Sequence, residues 1–228
     1  MSVFARLVEQ LAELLQPLFH GSAAAAAIVL FTMLVRLLVL PLSRAAARGQ
    51  KARTALQPRI AELRRKHARN PDKLRQALLE LHTEHRVSPL AGILPSLCQL
   101  PAFFLLFHLF SSSETGGRAN ELLGHELFGA PLGDRWADAL SGGGTAGLVY
   151  VGLFALVVGV AFFNYRRTKA TLAESVPLDT PGAGAIAKAM PYVSFFTLIT
   201  VAVVPLAAAL YIVTSSTWSA VERAVLYR

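Results

Sequence analysis

The sequence predicts an all-α polytopic membrane protein: five transmembrane helices, a cytoplasmic helical hairpin and an N-terminal interfacial amphipathic helix. Three observations predict it. The 228 residues are 54% hydrophobic and only 16% charged, where a soluble domain carries about 25%. The charges that exist are bunched, leaving long stretches almost free of Asp, Glu, Lys and Arg. The net charge of +8 sits almost wholly in alternate connections between those stretches. The same numbers exclude other classes. Disorder has the opposite signature, high charge with low apolarity. A single cysteine, Cys98, excludes a disulfide scaffold and reads as a small core residue. No cluster has the spacing of a structural zinc site.

Residues 1–20 come first in chain order. Val3, Phe4, Leu7, Val8, Leu11, Leu14, Leu15, Leu18 and Phe19 recur at three- and four-residue spacing, which is the pattern of an amphipathic helix. Beside a span, such a helix lies in the interface on the extracellular side. A cleaved signal peptide fits less well, because the alanine run 23–27 precedes the apolar core 28–35 instead of following it. The first span covers 21–43 and contains one charge, Arg36. Residues 44–88 follow as a cytoplasmic hairpin. Leu56, Ile60 and Leu63 form one apolar stripe, Leu74, Leu78 and Leu81 another, and Asn70-Pro71-Asp72 is a turn between them. Two helices joined so briefly pack antiparallel.

The second span covers 89–110. An extracellular loop, 111–145, is mildly acidic and holds short interfacial helices, with Gly142-Gly143-Gly144 as a flexible joint. The third span covers 146–165 and a cytoplasmic loop covers 166–188. Residues 189–221 are free of charge for 33 residues with Pro205 near the middle. That is too long for one span of about 20 residues. It divides into a fourth span, 189–204, and a fifth, 206–223, followed by a short tail, 224–228. Each is short for an upright crossing.

Orientation follows from the charges. Eighteen of the 22 Lys/Arg lie in 44–87, 166–188 and 222–228, against three in 1–20 and 114–140. The positive-inside rule places the basic connections and the C-terminus in the cytoplasm and the N-terminus outside. Five spans give the same alternation. The hairpin faces left over from its stripes are basic, with Arg59, Arg64, Arg65, Lys66, Arg69 and Lys73 among their cations. They are either a solvated surface that fixes topology or a docking surface for phospholipid head groups or ribosomal RNA. No aromatic residues interleave them, so stacking on single-stranded bases is not indicated, and nothing points to DNA.

Arg36 is the most informative residue. It lies eight residues before the basic loop begins at Arg44, or about 12 Å of helix. A charge at that depth costs several kcal/mol unless it meets water or an anion, and residues 21–43, 88–113, 141–165 and 189–221 contain no Asp or Glu. Arg36 therefore faces a water-filled cavity or an external anion, or it snorkels to cytoplasmic phosphates. Thr32, Ser96, Gln99, Asn164 and Ser215, within the hydroxyl cluster 214–217, are the polar residues that would line one hydrophilic groove with it. Singly, such groups hydrogen-bond to neighbouring helices. His108 belongs near the outer interface, and Trp218 and Tyr227 read as interfacial aromatics. No catalytic constellation is present: Gly142–Gly144 lacks the Lys-Ser/Thr of a phosphate loop, and there is no HExxH.

The residues resemble the YidC/Oxa/Alb membrane protein insertases, in the form of the small bacterial members. The resemblance runs from about Pro17 to Glu222. It rests on the intramembrane Arg36, on the run Leu56-Gln57-Pro58-Arg59-Ile60-Ala61-Glu62-Leu63-Arg64, and on Glu84-His85-Arg86-Val87-Ser88-Pro89-Leu90-Ala91-Gly92-Ile93-Leu94-Pro95 leading into Gln99-Leu100-Pro101-Ala102-Phe103. Met190-Pro191, Pro205 and Leu210-Tyr211 complete it.

This resemblance implies a protein that inserts and helps fold integral membrane proteins, is not an enzyme and uses no cofactor. It implies a groove open to cytoplasm and lipid, in which Arg36 attracts acidic residues of the substrate's translocated tail. The apolar substrate segment would slide along the second and fourth spans, at Phe103, Phe107, Phe195 and Ile199. Partners would be nascent single-span membrane proteins, the bilayer, and the Sec translocon and ribosome. The chain departs from larger members in lacking an extra N-terminal span and periplasmic domain, and it ends without a long basic tail. Ser88 and Ala91 stand where Asn and Gly are commoner, and Ile212 where many members have an aromatic residue. Two other classes stay open on the residues alone. One is a small anion transporter built on Arg36; the other is a membrane-anchored scaffold with a basic docking hairpin.

Overall fold

The computed structural model describes residues 2–85, 94–115, 118–142, 144, 146–174 and 188–226. Helix α1 (Ser2–Phe19) is followed by a 3-10 turn, His20–Ser22. His20 adopts a positive φ of 46° there and turns the chain. Helix α2 (Ala23–Ala55) follows. Far from standing apart, α1 packs along α2. Ala5, Val8 and Ala12, spaced three and four apart, are buried, and the Phe4 ring meets Phe31 edge-on at 6.3 Å. Ala23, Ala24, Ala25 and Ala27 are buried too; small side chains let helix backbones approach closely.

Helix α2 runs unbroken for 33 residues through Pro41, which is about 50 Å. It thus continues well past residue 43, where the apolar stretch stops. The reason is local: Ala, Arg, Lys and Gln between 44 and 55 are good helix formers, and no breaker intervenes before Leu56. Helix α3 (Gln57–Lys66) then starts with Pro58 in its first turn, and α4 (Pro71–Glu84) returns. Asn70 caps α4, its Oδ1 accepting the Lys73 backbone N–H at 3.1 Å, with Pro71 at the first turn. Leu56, Ile60 and Leu81 are buried between the two helices, with Leu63 and Leu78 beside them.

Helix α5 (Leu94–Ser111) ends in a connection that contains β structure. Strand β1 (Glu114–Thr115) pairs antiparallel with β2 (Arg118–Ala119), and β3 (Glu126–Leu127) with β4 (Ala130–Pro131). The second hairpin turns on Phe128 and Gly129, both at positive φ, as a two-residue hairpin turn requires. A 3-10 turn, Glu121–Gly124, and one short helix, α6 (Trp136–Gly142), complete it. The expectation of short interfacial helices alone is therefore corrected. Asn120 fastens this connection to α5: its buried side-chain N–H groups donate to Leu109 O at 2.8 Å and Ser112 O at 3.0 Å.

Helix α7 (Ala146–Glu174) continues nine residues beyond 165. A 3-10 turn, Met190–Phe195, leads into α8 (Phe196–Val203). Val204 is extended, as a residue before proline prefers, and Pro205 separates α8 from α9 (Leu206–Leu226). Helix α9 is the hub. It packs against α2, α5, α7 and α8, and Leu206 to Val213 are buried without interruption. Around it the molecule exposes large apolar side chains: Leu38 at 79%, Leu148 at 69%, Phe196 at 65%. A contiguous surface of that kind is an aggregation hazard in water and the required surface in lipid. Val3–Gly49 and Ala146–Leu172 are long and apolar enough to cross a bilayer, and Met190–Val203 is a shorter apolar run.

Candidate functional site

Helix periodicity brings four residues together. Thr32 and Arg36 lie one turn apart on α2, and Tyr211 and Ser215 lie one turn apart on α9. Where the two faces meet, Arg36 Nη2 donates to the Ser215 backbone carbonyl at 3.1 Å and also to Ser215 Oγ. The same carbonyl accepts the Ser219 hydroxyl at 2.9 Å. Thr32 is buried and satisfied within its own helix, its Oγ1 donating to Ile28 O at 2.7 Å.

Arg36, Thr32, Val35 and Val39 from α2, Phe103 and Leu106 from α5, and Tyr211 from α9 enclose a cavity of about 20 Å³. That is room for about one water molecule. One wall is aromatic: Phe103 stacks on Phe107 at 5.8 Å and meets Tyr211 at 5.9 Å, and Tyr211 meets Phe110 at 5.9 Å. Glu222 and Arg223 follow about two turns beyond Ser215 on α9. The acceptors that Ser215 offers Arg36 are neutral, and an ionised acceptor binds a guanidinium more strongly than a neutral one.

The other sequence candidates fall in different places. Asn164 is not in the cavity wall: its Oδ1 accepts from Arg223 Nη1 at 3.4 Å, tying α7 to α9. Arg223 is eight positions beyond Ser215 and so about 80° round the helix, which takes Asn164 to another sector. The side chains of Ser96 and Gln99 lie outside the described residues. Phe103 and Phe107 are on α5 as described above. The Phe195 ring packs on Tyr165 of α7 at 6.2 Å, and Ile199 is 61% exposed on the outer surface. Arg59, Arg64, Arg65, Lys66, Arg69 and Lys73 are all exposed on α3, α4 and the turn between them, with Arg59 Nη1 3.2 Å from His85 Nε2.

Two residues near the site are not among the groove candidates named from the sequence. Tyr211 is one turn from Ser215 and lines the cavity, a position readable from four-residue spacing. Glu222 stands seven residues after Ser215 on the same stripe of α9. Among the described residues no three His, Cys, Asp or Glu side chains gather to hold a metal ion.

Comparison with known proteins gives the family. The 60Kd inner membrane protein family matches residues 15–228. A protein of Clostridium perfringens named membrane protein insertase YidC is 38% identical over 117 residues, 51% of this chain and 46% of that protein. Its namesake in Magnetococcus marinus is 42% identical over 89 residues, 39% of this chain and 16% of the relative. A third, from an Anaeromyxobacter species, is 38% identical over 101 residues, 44% and 18% of the two chains. The chain spans less than half the length of these relatives. With the family matched from residue 15 to the last, across Arg36, Phe103, Tyr211 and Ser215 alike, the chain belongs to the 60Kd inner membrane protein family, the YidC/Oxa group.

Proposed function

We propose that this protein is a membrane protein insertase that receives nascent membrane proteins and passes their apolar segments into the bilayer. Its topology in this reading has five spans, carried by α2, α5, α7, the α8 segment and α9, with the N-terminus outside and the basic hairpin, the 166–188 connection and the C-terminus in the cytoplasm. The names of its relatives support the activity. The single observation that carries the mechanism is the contact of Arg36 with Ser215. A guanidinium inside an apolar helix rests on a neutral hydroxyl and a carbonyl, acceptors that a substrate carboxylate surpasses. The reduced dielectric strengthens that attraction over its value in water.

A cavity of about 20 Å³ cannot take a polypeptide tail, so substrate admission separates α2 from α9. In this reading Arg36–Ser215 is the latch that opens. The acidic tail exchanges Ser215 for its own carboxylate. The apolar segment follows along the rings of Phe103 and Phe107 and the exposed side of α8 at Ile199. The cations of α3 and α4 receive the chain, at phospholipid head groups or at the ribosome, and a Sec translocon is a further partner. No step calls for a cofactor.

The test is insertion into liposomes holding only this protein. The substrates are single-span proteins with short acidic or neutral translocated tails, read by protease protection for wild type, Arg36→Ala and Arg36→Lys. The expected result is loss with Ala that is greater for the acidic tail, and partial retention with Lys. Equal loss for both tails would overturn the attraction mechanism. Arg36-dependent anion flux without protection would favour a transporter.

A further inference from the structure

Tyr211, Ser215, Ser219 and Glu222 fall at spacings of four, four and three along α9, which is one helical stripe. Arg36 docks at its middle. Glu222 lies two turns beyond Ser215, about 10 Å along the axis, toward the end that carries Arg223. It is half-buried, and its Oε1 is secluded from solvent with no hydrogen-bond partner among the described residues. A carboxylate oxygen in that state is destabilising in itself. Its neighbour Arg223 is turned to Asn164, and the opposite charge docked on the stripe that carries Glu222 is Arg36, at Ser215. A carboxylate with so little local reward is a functional candidate.

We propose that Glu222 sets the charge selectivity of the Arg36 site. It rests on the reading of Arg36 as the group that attracts the tail. Glu222 stands two turns from Arg36 on the side that the proposed orientation gives to the cytoplasm, so an arriving tail meets it first. An acidic tail is repelled there and then finds an Arg36 whose field is partly cancelled. A tail carrying lysine or arginine is drawn to Glu222 and spared part of the repulsion by Arg36. Glu222 therefore narrows the preference for acidic tails and widens the range of substrates admitted.

The experiment uses the full chain in liposomes and three versions of one single-span substrate, with acidic, neutral and basic translocated tails. Wild type, Glu222→Gln, Glu222→Lys and Arg36→Ala are compared by the ratio of protease-protected product between tails. A merely structural role for Glu222 would change all three substrates together and leave the ratios alone. The expected result is a rise of about three- to tenfold in the acidic-to-neutral ratio with Glu222→Gln. The basic-to-neutral ratio falls, and both shifts are larger with Glu222→Lys. If Arg36→Ala lowers the acidic-to-neutral ratio while both Glu222 variants leave the ratios unchanged, the proposal is overturned and the reading of Arg36 stands. If Arg36→Ala leaves that ratio unchanged, both fall.

Discussion

Arg36 and Ser215, 179 positions apart in the chain, are joined through both the backbone carbonyl and the hydroxyl of the serine. The contact fixes the rotation of α2 against α9, the helix against which α2, α5, α7 and α8 all pack. It also keeps a charge where a leucine would pack with less desolvation.

The first prediction follows from that cost. Replacing a buried ion pair by well-packed apolar residues is often neutral or stabilising, and Arg36, half-buried on neutral acceptors of Ser215, carries a desolvation cost of the same kind. Arg36→Leu in detergent is expected to unfold at the wild-type temperature or above it, while losing insertion of acidic-tailed substrates. A midpoint several degrees lower would mean that Arg36 is there for the fold.

Ser215→Ala separates the hydroxyl from the carbonyl. Arg36 keeps the Ser215 carbonyl and its charge, so the expected loss of stability is about 1 kcal/mol. Insertion should stay within about threefold of wild type, since the charge and not the serine attracts the tail. Thermal unfolding and the liposome assay, run on the same preparation, check both halves.

Asn120 is buried and bonds the last turn of α5 through Leu109 O and Ser112 O. Asn120→Ala leaves two carbonyls without this donor and should cost about 1–3 kcal/mol. Amide exchange should rise first in the 111–120 segment, and uniform exchange across all helices would contradict a local cap.

The α3–α4 pair has a small core of its own in Leu56, Ile60 and Leu81. Leu81→Asp should open it without lowering the unfolding temperature of the rest. Trypsin then cuts at the exposed cations from Arg59 to Lys73 well before it does in wild type. Unchanged cleavage would show that the pair is held by something other than these three residues.

How legible this was in the sequence depends on the range of the interaction. The helical class and the family follow from composition and from motifs that are local. Breaks at Asn70-Pro71 and at Pro205 are written in the residues themselves, because proline and asparagine act within one turn. The ends of α2 and α7 are not, because the edge of an apolar stretch is a boundary of solvent and not of helix; both helices run on through basic residues. The two-residue strands are too short to show a period. At the site, a charge among apolar residues advertises Arg36. Of the hydroxyl residues 214–217, Ser215 is the one named from the sequence, and the rotation of α9 against α2 brings that residue to Arg36. Glu222 falls within the fifth span read from the sequence, 206–223, but only the helix shows that it lies two turns past Ser215 on the same stripe.

The start of α9 is tied down by the connection that precedes α6. Leu206 N–H donates to Asp134 O at 2.8 Å, Ala207 N–H to Leu132 O at 2.9 Å, and the Tyr150 hydroxyl reaches the same Asp134 oxygen at 2.6 Å. A helix riveted in its first turn, held to α2 midway by Arg36 and tied to α7 by Arg223, has the place of its hinge decided in advance, at the rivet. Should substrate admission separate α2 from α9 as proposed, the riveted end is the one that stays closed.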